Sequence, residues 1–155
     1  MKEKACCFTG HRKFTPNIDC EKRLEESIVG LIGNGVCYFG CGGALGFDTF
    51  AAVTVLRLRE VYPTVRLILV LPCPEQAKYW NASDLALYES IKARADKIVY
   101  ASERYDRFCM QKRNCLLVDG SSYCICYLND AKGGTASTVR YARQKGVEVI
   151  NLSEE

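Results

Sequence analysis

Apolar positions in this chain gather in short unbroken runs, separated by longer stretches in which they recur every three or four residues. The runs at residues 5–9, 36–40, 65–71, 97–100, 123–128 and 147–152 predict strands. Most are continuous rather than alternating, as expected for a parallel sheet covered on both faces. The spacing between them predicts helices. In the first, Leu24, Ile28, Leu31 and Ile32 share a face, Asp19 is the expected cap and Gly33-Asn34-Gly35 the stop. The second opens at Asp48 or Thr49 and is apolar nearly all round (Phe50, Ala51, Ala52, Val53, Val55, Leu56), so it should be the most buried. A third runs from a Ser83 cap to Arg94, a fourth spans 104–118, and a fifth spans 137–145 and stops at Gly146.

Strand and helix thus alternate, and the chain closes on a sixth strand. Right-handed crossovers turn this pattern into an α/β fold, a Rossmann-like, doubly wound three-layer sandwich with a mainly parallel sheet. At 155 residues, with no internal repeat and no shift in composition, residues 1–155 read as one domain.

Composition narrows the function classes. A chain that is 48% hydrophobic and 25% charged is not disordered. Its longest apolar stretch, residues 67–72, falls far short of the roughly 20 residues of a membrane helix. The charged start runs directly into a strand and carries no signal-peptide pattern, so a cytoplasmic protein with no membrane partner is expected. A net charge of +3, spread among nearly as many acids as bases, makes a nucleic-acid partner conceivable but not favoured. The 10 cysteines include no Cys-x-x-Cys pair and are accompanied by one histidine, so no metal site is expected. Cys6, Cys7, Cys37, Cys124 and Cys126 lie in the strand runs, where reduced thiols act as small hydrophobes.

Ligands of open α/β sheets bind beyond the carboxyl ends of the strands. The sequence places four loops there. Strand one leads into Thr9-Gly10-His11-Arg12, and strand two into Gly42-Gly43-Ala44 and on to Asp48. Strand three leads into Glu75-Gln76, with Tyr79 and Trp80 close behind, and strand five into Lys132-Gly133-Gly134-Thr135-Ala136-Ser137. Two of the four are glycine-rich turns into helix N-termini, where free N–H groups and the dipole attract anions. Paired glycines also serve as plain tight turns, and Thr135 and Ser137 serve equally as caps or as phosphate donors. Neither loop is a Gly-x-Gly-x-x-Gly fingerprint or a P-loop, which disfavours ordinary dehydrogenases and kinases. Arg12 suits a phosphate. Trp80 and Tyr79 are either rim aromatics or a stacking wall for a base. Glu75 either accepts from a ribose hydroxyl or caps its loop. Arg113-Asn114, on the fourth helix, lie near the crevice.

These segments, taken in order, resemble the YpsA-like group of the SLOG superfamily, which also includes DprA/Smf and the Lonely Guy proteins. The resemblance rests on Phe8-Thr9-Gly10-His11-Arg12, residues 40–48, Pro74-Glu75-Gln76 with Trp80, Arg113-Asn114 with Val118-Asp119, and Lys132-Gly133-Gly134-Thr135. It covers residues 4–152. It implies a Rossmann-like fold with a nucleotide-derived ligand in the glycine-lined crevice. Gly42, Gly43 and Ala44 would make one phosphate or ribose contact and Gly133, Gly134 and Thr135 the other, with Arg12 as the basic residue after strand one. Relatives often self-associate, so a homo-oligomer is in keeping with the resemblance.

One departure bears on activity. Lonely Guy phosphoribohydrolases carry Pro-Gly-Gly-x-Gly-Thr-x-x-Glu, whereas residues 132–140 here read Lys-Gly-Gly-Thr-Ala-Ser-Thr-Val-Arg. Arg140 stands where the glutamate would be, and a guanidinium cannot stabilise an oxocarbenium-like transition state or activate water. Glu75 and Asp48 are the substitute carboxylates to consider, and no catalytic set is assigned. The expectation is a sensor or regulator that binds ADP-ribose, NAD or a nucleoside phosphate and needs no other cofactor. The alternatives are a nucleoside monophosphate phosphoribohydrolase and a DprA-like single-strand DNA binder using Arg104, Arg107, Lys112 and Arg113.

Overall fold

Six strands and five helices alternate along the chain in a computed structural model that describes residues 2–154. The strands are β1 (Ala5–Gly10), β2 (Tyr38–Cys41), β3 (Arg66–Leu71), β4 (Lys97–Tyr100), β5 (Tyr123–Tyr127) and β6 (Glu148–Asn151). The helices are α1 (Ile18–Gly33), α2 (Phe47–Arg59), α3 (Ala82–Arg94), α4 (Cys109–Asp119) and α5 (Gly134–Gln144). All neighbouring strands pair parallel in the order β4-β3-β2-β1-β5-β6, which is the doubly wound arrangement.

Alternation of side chains along each strand builds two cores. Cys6, Phe8, Phe39, Cys41, Leu67, Leu69, Leu71 and Ile125 point to one face, against α1, α2 and α3. Cys7, Val70, Cys124 and Cys126 point to the other, against Leu117 and Val118 of α4 and Val139 and Ala142 of α5. Burial on both faces explains why the central strands read as continuous apolar runs. Cys6, Cys7, Cys124 and Cys126 are buried in strands, while Cys37 is half-buried just before β2. Burial pushes the Cys6 and Cys41 thiols up and takes Cys126 to about 12; a hydrogen bond with Cys7 together with burial raises Cys124. These four thiols keep their protons and pack as apolar groups.

Helix starts are where the sequence reading needs correction. Asn17, not Asp19, caps α1, accepting from the Cys20 N–H at 2.9 Å, which leaves Asp19 in the first turn where its charge suits the dipole. Asn81, not Ser83, caps α3 through the Asp84 N–H at 2.8 Å. Helix α2 begins one residue before Asp48, behind Gly46, and α5 begins at Gly134 rather than at Ser137. Helix α4 starts at Cys109, five residues later than expected: the Asp106 side chain accepts from the Phe108 N–H at 2.8 Å and holds the preceding segment in turns. As expected, α2 is the most buried helix, with Phe47, Ala51, Ala52, Val55, Leu56 and Leu58 all in the core.

The turn into α2 positions the functional edge. Gly46 has φ +80°, and the Phe47 N–H after it donates to the His11 carbonyl at 3.1 Å, tying the end of β1 to the start of α2. A Cβ at Gly46 would lie 2.2 Å from the Arg12 carbonyl oxygen and 2.5 Å from that of His11, so this backbone approach admits only glycine. Gly30 is the opposite case, exposed within α1 with nothing near its Cβ position. In urea unfolding, Gly46→Ala is expected to lose at least about 2 kcal/mol, because it combines strain with a backbone clash. Gly30→Ala should gain about 0.5–1 kcal/mol from the reduced entropy cost of helix formation. Equal effects at the two sites would show that the turn does not hold the edge.

Candidate functional site

Strand order reverses beside β1, so the crevice lies beyond the carboxyl ends of β1 and β5. A hollow of about 370 Å³ sits there. Gly10, His11 and Arg12 line it from β1, Ala44 and Asp48 from the turn and first residues of α2, Arg113 and Asn114 from α4, and Gly134 and Thr135 from α5. Both glycine-rich segments therefore reach one cavity. Phe8, Thr9 and Met110 complete its wall.

Loop-to-loop ties hold this rim. The lone histidine is structural as well as lining: its Nε2 accepts from the Asn129 N–H at 3.2 Å, while its carbonyl holds the start of α2. Asn151 pairs with the Leu128 backbone through both ends of its amide, at 3.1 and 2.9 Å, and so fixes where the loop after β5 departs.

Two buried charges stand inside the crevice. Asp48 is 6% exposed; its Oδ2 accepts from the Ala44 N–H at 3.3 Å. Burial pushes its carboxyl above the ordinary value, against the opposing pull of Arg113, the Ala44 N–H and Arg12. Arg113 is equally buried, at 6%. It donates from Nε to Asn114 Oδ1 at 2.7 Å, from Nη1 to the Gly42 carbonyl, and from Nη2 to Met110 Sδ at 3.7 Å. Burial lowers its pKa, and Asp48 counters most strongly. Gly42 lies between the two charges, since a Cβ there would fall 2.5 Å from Arg113 Nη1 and 2.9 Å from Asp48 Oδ2. A paired glycine of the second loop thus makes room for a guanidinium.

The N-terminus of α5 is left open. Gly133 has φ +99° and ψ −175°, a region essentially reserved for glycine, and among the described residues no side chain caps the helix. A Cβ at Gly133 or Gly134 would meet nothing within 4 Å. Gly134 and Thr135 of this first turn line the hollow, and an uncapped helix start is the arrangement that receives anions.

Other predicted residues lie elsewhere. Gly43 supports Gln76, whose Nε2 donates to the Gly43 carbonyl at 3.3 Å and to the Tyr88 hydroxyl at 3.4 Å. Trp80 packs edge-on against Tyr88 with centroids 5.0 Å apart, and Tyr79 is 89% exposed, so the two form no wall to the hollow. Glu75 Oε1 accepts from the Tyr105 N–H at 3.4 Å and braces the loop before α4. Arg104, Arg107 and Lys112 are exposed, but Arg113 is not part of their face. Ser137 lines a second hollow of about 550 Å³ between α4 and α5, which shares Met110, Asn114 and Gly134 with the first. That second hollow was missed in the sequence, though its polar residues 137, 140, 141 and 144 follow helical spacing on one face of α5.

Residues 6–151 match the model of a family described as the YspA SLOG family. The chain is 30% identical over 118 residues to the SPbeta prophage-derived protein YoqJ of Bacillus subtilis (strain 168), covering 68% of this chain and 69% of that protein. It is 32% identical over 81 residues to a UPF0398 protein of Bacillus pumilus (strain SAFR-032), a match covering 52% of this chain and only 44% of that protein. Among solved structures it is similar to DNA processing protein A of Helicobacter pylori, described for its single-stranded DNA binding mode (TM-score 0.67, 21% identity, 96% of this chain and 64% of that one). It is also similar to DprA of Streptococcus pneumoniae (TM-score 0.69, 20% identity, 96% of this chain and 50% of that one). The shared feature with these two structures is the fold, and the chain spans between half and two thirds of their length.

The raised pKa of Asp48 has a definite sign in stability. The folded state holds this proton more tightly than the unfolded chain does, so the contribution is full below about pH 4, the ordinary carboxylate range, and is lost as pH rises through the folded value. Asp48→Asn keeps an acceptor for the Ala44 N–H but cannot ionise. Urea unfolding from pH 4 to 8 should show the parent losing stability relative to this variant as pH rises, with the difference levelling off above the folded pKa. A relative gain on raising pH would mean that the Arg113 attraction outweighs burial.

Proposed function

This chain belongs to the YspA SLOG family, and on that premise we propose that its crevice binds the phosphate of a nucleotide or nucleotide-derived ligand. The ligand is of nucleoside phosphate, NAD or ADP-ribose type, and the protein acts as a cytoplasmic sensor or regulator. One observation carries this reading: Arg12, buried Arg113 and the uncapped start of α5 meet in one hollow at the point where strand order reverses. Three sources of positive potential converge there, and the hollow has the volume of a small-ligand site. Retention rather than turnover is favoured because Arg140 replaces the carboxylate of the phosphoribohydrolases. Of the two substitute carboxylates, only Asp48 lines the hollow.

A second reading, single-strand DNA binding, has one feature in its favour. Exposed Arg104 and Arg107 alternate with exposed Tyr105 and Phe108 on the loop before α4, the basic-aromatic mixture that stacks bases and tracks a backbone. The similarity to the Helicobacter pylori protein supports it at the level of the fold.

Calorimetric titration with AMP, NAD and ADP-ribose tests the first reading. At least one should bind saturably, and Arg12→Ala, an exposed change, should weaken it about tenfold through loss of a charge-assisted hydrogen bond. No heat with any of the three would overturn the proposal. Oligothymidylate separates the second reading: binding that falls steeply with salt and is lost in an Arg104→Ala/Arg107→Ala variant would favour DNA.

A further inference from the structure

The larger hollow, between α4 and α5, is not needed to hold a single phosphate at the start of α5. Arg107, just before α4, and Arg140, on α5, both line it, with Gln111, Ser137 and Gln144 as neutral hydrogen-bonding groups. Both arginines are exposed, and no carboxylate lines this hollow among the described residues. The Arg107 guanidinium rests on the Phe108 ring at 4.8 Å, which holds its planar group in place. The two hollows share Met110, Asn114 and Gly134 as walls, so an anionic chain seated on the first turn of α5 continues directly into the second.

We propose that the α4–α5 groove is a second anion subsite, which takes the distal phosphoryl groups of a nucleoside polyphosphate whose first phosphate sits in the crevice. This rests on the phosphate-binding reading of the crevice and extends it by naming the ligand's charge. Guanidinium pairs suit phosphoryl oxygens in a way that single ammonium groups do not. Tyr141, on its wall, donates its hydroxyl to Asp119 at 2.7 Å, so its ring is held in place. Arg140 therefore acts as an anchor for the ligand at the position where the hydrolytic relatives carry an acid.

Calorimetry with AMP, ADP and ATP on the parent and on an Arg107→Ala/Arg140→Ala variant tests this. ADP should bind about tenfold more tightly than AMP in the parent, the worth of one added charge-assisted contact. In the variant, ADP should fall to the affinity of AMP while AMP itself stays within about twofold, since neither arginine lines the crevice. Both substitutions are on exposed side chains, and unchanged thermal unfolding will show that the fold is kept. ADP binding no tighter than AMP, or AMP and ADP weakened equally by the double change, would overturn the subsite and leave the crevice reading intact. Binding of oligothymidylate that the double change abolishes, with ADP unaffected, would overturn it in favour of a nucleic-acid groove. Absence of binding by all three nucleotides would overturn this subsite, and would remove the crevice reading as well if NAD and ADP-ribose also gave no heat.

Discussion

Parallel strands can be joined only by crossovers that pass over a face of the sheet. In this chain the crossovers change face once. Helices α1, α2 and α3 cover one side while the strands step outward from β1 to β4, and α4 then returns across the other side to deliver β5 next to β1. That reversal parts the loops after β1 and β5, so a gap opens at the edge that no crossover fills. The position of the candidate site is a consequence of this path. Each wall of the hollow belongs to an element whose place the reversal dictates: the tip of β1, the starts of α2 and α5, and one side of α4.

Charge inside the gap is arranged at some cost. Asp48 and Arg113 are both buried, and each is shifted toward its neutral form by burial and back toward its charged form by the other. Buried opposite charges seldom add net stability, because desolvation offsets attraction. Here Arg113 is held through the Gly42 carbonyl, the Asn114 amide and the Met110 sulfur, so the guanidinium is oriented before any ligand arrives. Preorganised charge of this sort favours binding an anion without reorganisation. The open first turn of α5 adds to the same potential, whereas α1 and α3 spend theirs on asparagine caps.

Much of the fold was legible because burial on two faces leaves a plain mark in a sequence. The unbroken runs at β1, β3 and β5 and the all-round apolar α2 could be read without knowing what they pack against. Helix starts were less legible. Asn17 and Asp19, or Asn81 and Ser83, are all competent caps, and the choice between them depends on where the preceding loop leaves the sheet. Asp106 shortened α4 by a local hydrogen bond that competes with helix and is invisible to periodicity.

The candidate site divides in the same way. Sequence alone determined that two glycine-rich turns and Arg12 lie at the carboxyl edge, because strand direction and alternation suffice for that. Tertiary structure decided which glycine does what: Gly42 yields space to Arg113, Gly46 to the backbone of His11 and Arg12, while Gly133 and Gly134 leave the start of α5 bare. It also sent Trp80 and Glu75 outside, to Tyr88 and the Tyr105 N–H, and placed Arg107 and Arg140 on the walls of one α4–α5 groove. Periodicity reports which face of an element is buried. Which faces meet, and what space they leave between them, depends on distances between segments far apart in the chain, and only packing sets those.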